Sequence, residues 1–443
     1  MESIVEIYDV PTARQTILRR KPWDVVEITP ALQAGIEKIF GAPLTPDQAV
    51  EIILKDVREH GDAALFEYNR RIEGVEVDSL RVSDAEMDVA WQATPVELRE
   101  ALQIAAKRIR TFHEKQHKQS WIDWDDEGGA LGQIIRPLER VGIYAPGGRA
   151  PYPSSLLMAV VPARVAGVPE VIVVSPPQKD GCVAGVILVA ARIAGVDAVY
   201  KVGGAQAIGA LAYGTQSVPG VDKILGPGNL FVMLAKRRVF GQVGIDGLPG
   251  PTETLLIADE SAYPALVAAD LLAQAEHDVL ASPICLTPSP ELATQVQVEV
   301  ARQIKMLDRA EIIVEAFAGQ GGIVVTQSLV QAIDLANAYA PEHLCLLVRD
   351  PWAWVGQVRN AGGVFVGETS SEALGDYAVG PAHIMPTGGT ARFSSPCNVW
   401  DFLKITSIFA PAASTAARIA PAAFTIARAE GLTAHAAAIE IRQ

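Results

Sequence analysis

The stretch AVYKVGGAQAIGALAYGTQSVPGVDKILG, residues 198–226, contains the pattern that decides the fold. It begins with a short run of β-branched and aromatic residues, turns at two glycines, continues as an Ala-rich helical segment and ends in a second apolar run. Two strands joined by a helix form a β-α-β unit, in which the strands lie parallel. The stretch therefore predicts a parallel sheet with helices packed on it.

The same alternation extends on both sides of this stretch. The predicted strands are VGIY (141–144), VIVVS (171–175), AVYKVG (198–203), DKILG (222–226), TETLLIAD (252–259), ICLTP (284–288), GGIVVT (321–326), HLCLLV (343–348) and GGVFVG (362–367). Helical segments lie between them. We predict an α/β fold with two doubly wound, Rossmann-like parallel-sheet domains and small N-terminal and C-terminal helical extensions.

The domain boundaries follow from the order of these segments. Residues 141–252 form one predicted α/β domain, which contains three Gly-rich turns. A second, discontinuous α/β domain comprises residues 41–140, mostly charged amphipathic helix, and residues 253–395. Residues 1–40 are an N-terminal extension. Residues 396–443 are an Ala-rich helical tail that is too short to form a core, and we expect it to dock on a second subunit.

The composition and charge limit the classes of molecule that the protein is expected to bind. The chain has 443 residues, 49% hydrophobic residues and a formal net charge of −14, which indicates a globular protein with more than one core. The negative charge disfavours binding to nucleic acid or to anionic membranes, since both depend largely on Lys and Arg. No secretory signal and no membrane-spanning apolar run are recognisable. We therefore expect a cytoplasmic protein with a small-molecule partner.

The cysteines point to the same compartment. Cys182, Cys285, Cys345 and Cys397 lie far apart and form no C-x-x-C pair. This spacing disfavours both a disulfide framework and a thiolate zinc site. We expect free and mostly buried thiols.

Four of the seven histidines lie near a carboxylate or an amide in the sequence; these are His277, His343, His383 and His435. The remaining three, in charged helical sequence, are expected to be solvated; these are His60, His113 and His117.

A zinc site is one interpretation of these histidines. In LLAQAEHD (271–278), Gln274 and His277 are three residues apart and face the same side of a helix. Asp376 and His435 could complete a set of nitrogen and oxygen ligands. The set matches no standard zinc motif, so an exposed helix face remains the alternative.

A pair of bases is suggested by APEHL (340–344). Glu342 and His343 stand at the start of a predicted strand, and both side-chain types carry protons near neutral pH when partly buried. Successive strand residues face opposite sides, so sharing one site requires an irregular backbone. An ordinary loop pair remains the alternative.

Three Gly-rich turns follow predicted strands in one half of the chain: YAPGG (144–148), GGAQAIG (203–209) and GPGN (226–229). Such turns allow a phosphate to approach the backbone and the start of a helix. In doubly wound sheets, ligands bind at the carboxyl ends of the strands. The G-x-G-x-x-G fingerprint is absent, so these turns predict a nucleotide-type ligand, with purely structural loops as the alternative.

Taken together, the motifs resemble the histidinol dehydrogenase family from about residue 45 to the C-terminus. In the family's order and with similar spacing, the chain contains YAPGG, VGGAQAIGALAYG, ILGPGNLFV, GPTETLLIAD, DLLAQAEHD, APEHL, GDYAVGPAH, MPTGG, DFLK and EGLTAH. Each motif is weak alone, whereas ten in order are specific. The resemblance implies a zinc- and NAD-dependent enzyme that oxidises L-histidinol to L-histidine through L-histidinal, at the end of histidine biosynthesis.

The resemblance also implies roles for individual residues. The implied zinc ligands are Gln274, His277, Asp376 and His435. The implied bases are Glu342 and His343, and the implied NAD contacts are Tyr144, Gln206 and Asn229. The implied substrate contacts are Thr252, Gln274, His277, His343, Asp376, His383, Glu430 and His435.

The implied chemistry uses the two bases in turn. His343 removes the alcohol proton as hydride leaves for NAD, and Glu342 then activates water on the aldehyde. Zinc positions the substrate. The family's homodimer, with the tail of each chain at the active site of its partner, suits the dependent tail of this chain.

Two departures leave alternatives open. Thr252 stands where the family commonly has Ser, and Ala382 stands where Asn often precedes the histidine. Both border the expected substrate pocket and allow a related dehydrogenase of another polar amino alcohol or diol. A metal-dependent hydrolase or an inactive zinc-binding scaffold is a third hypothesis, although no G-x-S-x-G motif supports a hydrolase.

Overall fold

The computed structural model describes residues 4–20, 28–147 and 151–443. Its strands are β1 (Ile7–Asp9), β2 (Trp121–Trp124), β3 (Ala130–Pro137), β4 (Arg140–Tyr144), β5 (Glu170–Ser175), β6 (Ala198–Lys201), β7 (Lys223–Leu225), β8 (Gly244–Ile245), β9 (Glu253–Ala258), β10 (Ser282–Thr287), β11 (Gly322–Val325), β12 (His343–Leu347), β13 (Gly363–Val366) and β14 (Leu403–Ala410).

Its α-helices are α1 (Val10–Gln15), α2 (Pro30–Phe40), α3 (Pro46–His60), α4 (Asp62–Tyr68), α5 (Asp84–Ala93), α6 (Val96–His113), α7 (Pro153–Ala166), α8 (Gly185–Ala194), α9 (Gly204–Tyr213), α10 (Leu230–Val239), α11 (Pro264–Ala275), α12 (Pro290–Gln303), α13 (Ala310–Gln320), α14 (Leu329–Tyr339), α15 (Trp352–Val355), α16 (Glu372–Tyr377), α17 (Ala413–Ala429) and α18 (Thr433–Glu440). Within the described ranges, no helix is long and apolar enough to cross a membrane.

The first parallel sheet has five strands in the order β6-β5-β4-β7-β8. All neighbouring pairs are parallel. Alternate strand residues face opposite cores: Val171 and Val173 pack with α7 and α8, whereas Ile172 and Val174 pack with α9 and α10. The chain turns back between β4 and β7, which makes this the topological switch point of the sheet.

The second parallel sheet has six strands in the order β1-β11-β10-β9-β12-β13. All its neighbouring pairs are also parallel, and its switch point lies between β9 and β12. The prediction of two doubly wound sheets is confirmed, and each of the nine predicted strands forms. The N-terminal extension is not only helical, because Ile7–Asp9 adds an edge strand to this sheet.

The predicted grouping of residues 41–140 with residues 253–395 is wrong in its packing. Helix α3 packs on α9 and α10, α5 packs on α8, and α6 packs on α7, so the helices of this segment form an outer layer on the five-stranded half. The residues at the start of α3 explain why this helix begins there, because Thr45 and Gln48 make a capping box and Pro46 occupies the first turn. Its apolar face then buries Val50, Ile53 and Val57 against the helices of the sheet. The remaining domain boundaries stay a prediction.

A third, antiparallel sheet was not anticipated. β14 pairs along the whole of β3, which also pairs with β2, in the order β14-β3-β2. The prediction of a purely helical tail is therefore wrong, since Leu403–Ala410 is a strand. Beyond it, α17 and α18 pack on each other.

The predictions that the cysteines are free and that three histidines are solvated hold with one exception, His113. All four cysteines are free, and three of them are buried. His60 and His117 are exposed as expected, whereas His113 is fully buried at the end of α6. Its Nδ1 lies 2.9 Å from Gln116 Oε1. The charged local sequence concealed that this turn of the helix faces the protein.

Candidate active site between the two parallel sheets

The two candidate bases lie at the switch point of the six-stranded sheet, at the amino ends of β9 and β12. His343 is the first residue of β12 and pairs with Thr254 of β9. The candidate bases therefore lie at the edge opposite the carboxyl ends at which ligands of doubly wound sheets commonly bind. α11 explains the placement, because it runs back from the carboxyl end of β9 and brings Gln274 to the amino edge.

Glu342 is buried and hydrogen-bonded to the strand beside it. Its Oε2 accepts from the Thr252 hydroxyl at 2.8 Å and from the Glu253 amide at 3.0 Å. Burial raises the pKa of Glu342 to about 7, although the neighbouring His343 and the two hydrogen bonds oppose the shift. A carboxyl group with such a pKa can act as a base near neutrality.

The backbone before Glu342 is irregular, as a shared site requires. Ala340 has φ +54° and is the one non-glycine residue with positive φ in the described ranges. This left-handed residue ends α14 and redirects the chain into β12. As a result, Glu342 Oε2 lies 3.6 Å from His343 Nδ1, and the two candidate bases are neighbours.

The imidazole of His343 is held by one nitrogen and has the other free of hydrogen bonds. Nδ1 lies 3.0 Å from the backbone oxygen of Glu253, which can only accept, so Nδ1 carries a proton. Nε2 has no hydrogen-bond partner and lies 3.7 Å from Asp376 Oδ1. Burial lowers the pKa of His343, but the carboxylates of Glu342, Asp376 and Glu372 outweigh burial and raise it.

Asp376 lies among three candidate site histidines. Burial raises its pKa, but His343, His383 and His277 lower it by more than burial raises it, so the carboxyl group is anionic at neutral pH. His277 follows the end of α11 and has an exposed side chain. Partial loss of hydration against the surrounding protein lowers the pKa of its imidazole. The lowered pKa favours the neutral form that a metal requires.

Gln274 is buried beside the Thr252 hydroxyl. The neighbouring groups assign its amide nitrogen toward Glu372 Oε2 at 3.3 Å and its oxygen toward the Glu253 amide at 3.1 Å. Sequence reasoning missed Glu372, a buried carboxyl at the start of α16 that orients this amide. No local signal distinguishes it from an ordinary N-terminal helix Glu.

His435 and Glu430 are not brought to this cluster within the single chain. Both are exposed residues of the tail, on α18 and directly after α17. Beside His435, the two helices line an apolar groove. In the described parts of the chain, no three His, Cys, Asp or Glu side chains are grouped so that they could hold a metal.

The candidate NAD residues lie at the carboxyl edge of the five-stranded sheet. Tyr144 ends β4, Asn229 caps α10 after β7, and Gln206 lies in the first turn of α9 after β6. The Tyr144 hydroxyl accepts from the Gly204 amide at 3.2 Å. Gln206 is fully buried, and neither its amide oxygen nor its nitrogen has a partner. Gly148 of the YAPGG motif lies outside the described residues.

His383 contacts residues from both halves of the protein. His383 Nδ1 lies 2.6 Å from the backbone oxygen of Asp376, and its Nε2 lies 2.9 Å from the hydroxyl of Ser155 at the start of α7. Ser155 belongs to the five-stranded half, where it follows β4. The carboxyl edge of one sheet therefore faces the amino edge of the other, and Ser155 is a second residue that the sequence did not reveal.

The GPGN turn requires glycine at its first position. Gly226 has φ +112°, and a Cβ there would lie 2.2 Å from the Tyr144 carbonyl oxygen. We expect Gly226→Ala to lower the free energy of unfolding by about 3 kcal/mol, measured by urea denaturation. Gly195→Ala is the matched control, because Gly195 also has positive φ but no atom within 4 Å. Its expected cost is about 1 kcal/mol, and equal costs would contradict the steric explanation.

Comparison with known proteins places the chain in a family. The family model described as histidinol dehydrogenase matches residues 44–443. The histidinol dehydrogenase of Deinococcus radiodurans is 55% identical over 419 residues, which are 94% of this chain and 95% of that relative. That of Halalkalibacterium halodurans is 50% identical over 394 residues, covering 89% and 93% of the two chains.

A solved structure agrees over the whole length. The crystal structure of histidinol dehydrogenase from Elizabethkingia anophelis superposes with a TM-score of 0.91 at 33% sequence identity, covering 100% of this chain and 98% of that chain. The resemblance read from ten ordered motifs is thereby confirmed, and the hydrolase hypothesis is not supported. With its candidate bases clustered at one sheet and its Gly-rich turns at the other, the chain belongs to the histidinol dehydrogenase family of oxidoreductases.

Proposed function

We propose that the protein oxidises L-histidinol to L-histidine through L-histidinal, in two successive hydride transfers that require zinc and NAD. The observation that carries this proposal is the pair Glu342 and His343, buried together at the edge that faces the Gly-rich turns, in a chain of this family. Two adjacent bases suit two successive oxidations. The four free cysteines and the net charge of −14 support a cytoplasmic enzyme without a nucleic-acid or membrane partner.

The donor set fits zinc if one further ligand is supplied. Gln274, His277 and Asp376 offer an amide oxygen, an imidazole nitrogen and a carboxylate, all donors that zinc accepts. A cation beside Asp376 would also offset a carboxylate that raises the pKa of His343, and it would favour the neutral imidazole that a base needs. We assign the missing ligand to His435 of the partner subunit.

The buried amide of Gln206 supports a cofactor at the five-stranded edge. Two unsatisfied polar atoms in a fully buried side chain are costly unless a ligand completes their hydrogen bonds. Asn229 adds a helix start at which phosphate is favoured, although its own Oδ1 already caps Phe231 and Val232. Together with Tyr144 these residues would hold NAD, which accepts hydride when bound.

The two bases divide the proton transfers. Nε2 of His343, free of hydrogen bonds, takes the proton of the substrate alcohol while Nδ1 stays fixed on Glu253. The carboxylate of Glu342 takes a proton from the water that adds to the aldehyde. Thr252 and Glu253 hold that carboxylate in place.

The pKa of Glu342 predicts a pH dependence. Burial raises this pKa to about 7, so the carboxyl group is protonated and inactive as a base below that pH. We expect the rate of L-histidinal oxidation to fall about tenfold per unit as the pH falls below 7. Rapid-mixing measurements from pH 5.5 to 8.5 with L-histidinal and NAD test this. A rate that stays flat between pH 5.5 and 7 in the wild type would exclude Glu342 as that base.

A homodimer with shared sites predicts complementation. His277→Ala and His435→Ala should each be inactive, but a mixed dimer keeps one intact site, because each site takes His435 from the other chain. Co-expression of the two variants should restore about a quarter of wild-type activity at random pairing. If both histidines serve the same site of one chain, the mixture stays inactive.

The activity itself is tested by NADH formation. The zinc-loaded enzyme should form about two NADH per L-histidinol consumed. No turnover of L-histidinol with zinc and NAD present would reject the proposal. Turnover of another amino alcohol instead would point to the pocket, where Thr252 lies between Glu342 and Gln274 and Ala382 is buried beside His383.

A further inference from the structure

Arg20 of the N-terminal extension contacts strand β9 and the turn that precedes the two proposed bases. Its guanidinium makes two hydrogen bonds to the Glu253 carboxylate, one of them at 2.8 Å. It also donates to the backbone oxygens of Tyr339 at 2.9 Å and Ala340 at 3.1 Å. The Arg20 Cζ atom lies 3.8 Å from the centre of the Tyr339 ring. Four hydrogen bonds from one side chain thus join β9 to the turn between α14 and β12.

The residue that Arg20 binds touches both bases through its backbone. The Glu253 amide donates to Glu342 Oε2, and the Glu253 oxygen accepts from His343 Nδ1. Any movement of Glu253 therefore displaces the carboxylate and the imidazole together. The second contact of Arg20, on Ala340, holds the left-handed residue that precedes the base pair. Such a backbone conformation persists only where its surroundings stabilise it.

The cluster is enclosed and charge-balanced. The Glu253 side chain is 6% exposed and that of Arg20 is 23% exposed. The Gly388 amide donates to Glu253 Oε1 at 3.0 Å, and a Cβ on Gly389 would lie 2.8 Å from Arg20 Nε. The MPTGG turn (385–389) thus closes over the pair. Removing one member of a buried, hydrogen-bonded ion pair leaves an uncompensated charge.

We infer that Arg20 is a positioning residue for the reaction, which sets the distance between Glu342 and His343 through Glu253 and the Ala340 turn. The inference rests on the proposed roles of the two bases. Arg20 precedes residue 44, where the family match begins, and no motif singles it out. The planar guanidinium can hold a carboxylate and two carbonyls at once, whereas a lysine ammonium cannot match this geometry.

The test compares Arg20→Met, Arg20→Lys and Arg19→Met in the full-length zinc-loaded enzyme. Arg19→Met removes the same charge from an exposed neighbour and serves as the control. For Arg20→Met we expect kcat with L-histidinol to fall about 100-fold while both KM values change by less than about threefold. We expect Arg20→Lys to recover part of kcat and Arg19→Met to match the wild type.

Hydrogen–deuterium exchange separates this inference from the proposed function. Peptides covering residues 251–258 and 339–347 should exchange faster in Arg20→Met than in Arg19→Met, whether or not the wild type turns over L-histidinol. A wild type without turnover rejects the proposed function alone. Unchanged exchange in these peptides, or an Arg20→Met kcat within about threefold of wild type, overturns the positioning role. If Arg20→Met does not fold, a wild-type kcat in Arg20→Lys overturns it.

Discussion

His277→Ala should abolish zinc binding and L-histidinol oxidation together. With Gln274 and Asp376, the imidazole is one of the three zinc ligands that we propose for each chain. Loss of one donor removes the ion and, with it, the alignment of the substrate against His343. We expect kcat/KM to fall about a thousandfold and the zinc content to fall in parallel, measured on protein freed of loosely bound metal by gel filtration.

His60→Ala is the control for this experiment. His60 is exposed at the end of α3, on a helix that packs on α9 and α10 in the five-stranded half. It should retain the zinc content and the activity of the wild type. A His277→Ala variant that kept zinc while losing activity would show that this histidine contacts the substrate and not the metal.

Glu342→Gln should separate the two oxidations. The amide can still accept from Thr252 and Glu253 but cannot take a proton from water. We expect oxidation of L-histidinol to L-histidinal to retain most of its rate and oxidation of L-histidinal to fall by about 100- to 1000-fold. Single-turnover measurements with each substrate and excess NAD resolve the two steps.

Two further variants serve as comparisons for Glu342→Gln. His343→Gln should slow the first step instead, because it removes Nε2, the atom proposed to take the alcohol proton. Glu311→Gln, on the exposed side of α13, should change neither step. Equal losses in both steps for Glu342→Gln would refute the division of work between the two bases.

The strands that the sequence predicted are those with strong local signals. β5, β9, β10 and β12 are runs of buried apolar residues, and such runs occur in parallel strands covered on both faces. β1 and β8 have three and two residues, too few for any periodicity. β2 is exposed throughout and β14 nearly so. Their pairing is decided by the neighbouring strand and not by their own burial.

By itself, the sequence determined the alternation of strands and helices, the Gly-rich turns and the ordered motifs that identify the family. These depend on neighbours within a few residues, such as Gln274 in the last turn of α11 and His277 just beyond that helix. Only the tertiary structure decided that Glu342 and His343 lie at the amino edge of β12, where Ala340 bends the chain. Packing also decided which sheet residues 41–140 cover.

The clearest difference lies in the residues that surround Glu342 and His343. Arg20 and Glu253 are 233 positions apart, yet their side chains form a largely enclosed ion pair, and the Glu253 amide donates to Glu342. Nothing near either residue in the sequence indicates this contact, because it is created when the N-terminal segment folds across the amino ends of the strands. The chemistry of a side chain can be read from its type, but its partner depends on burial and distance, which only the folded chain sets.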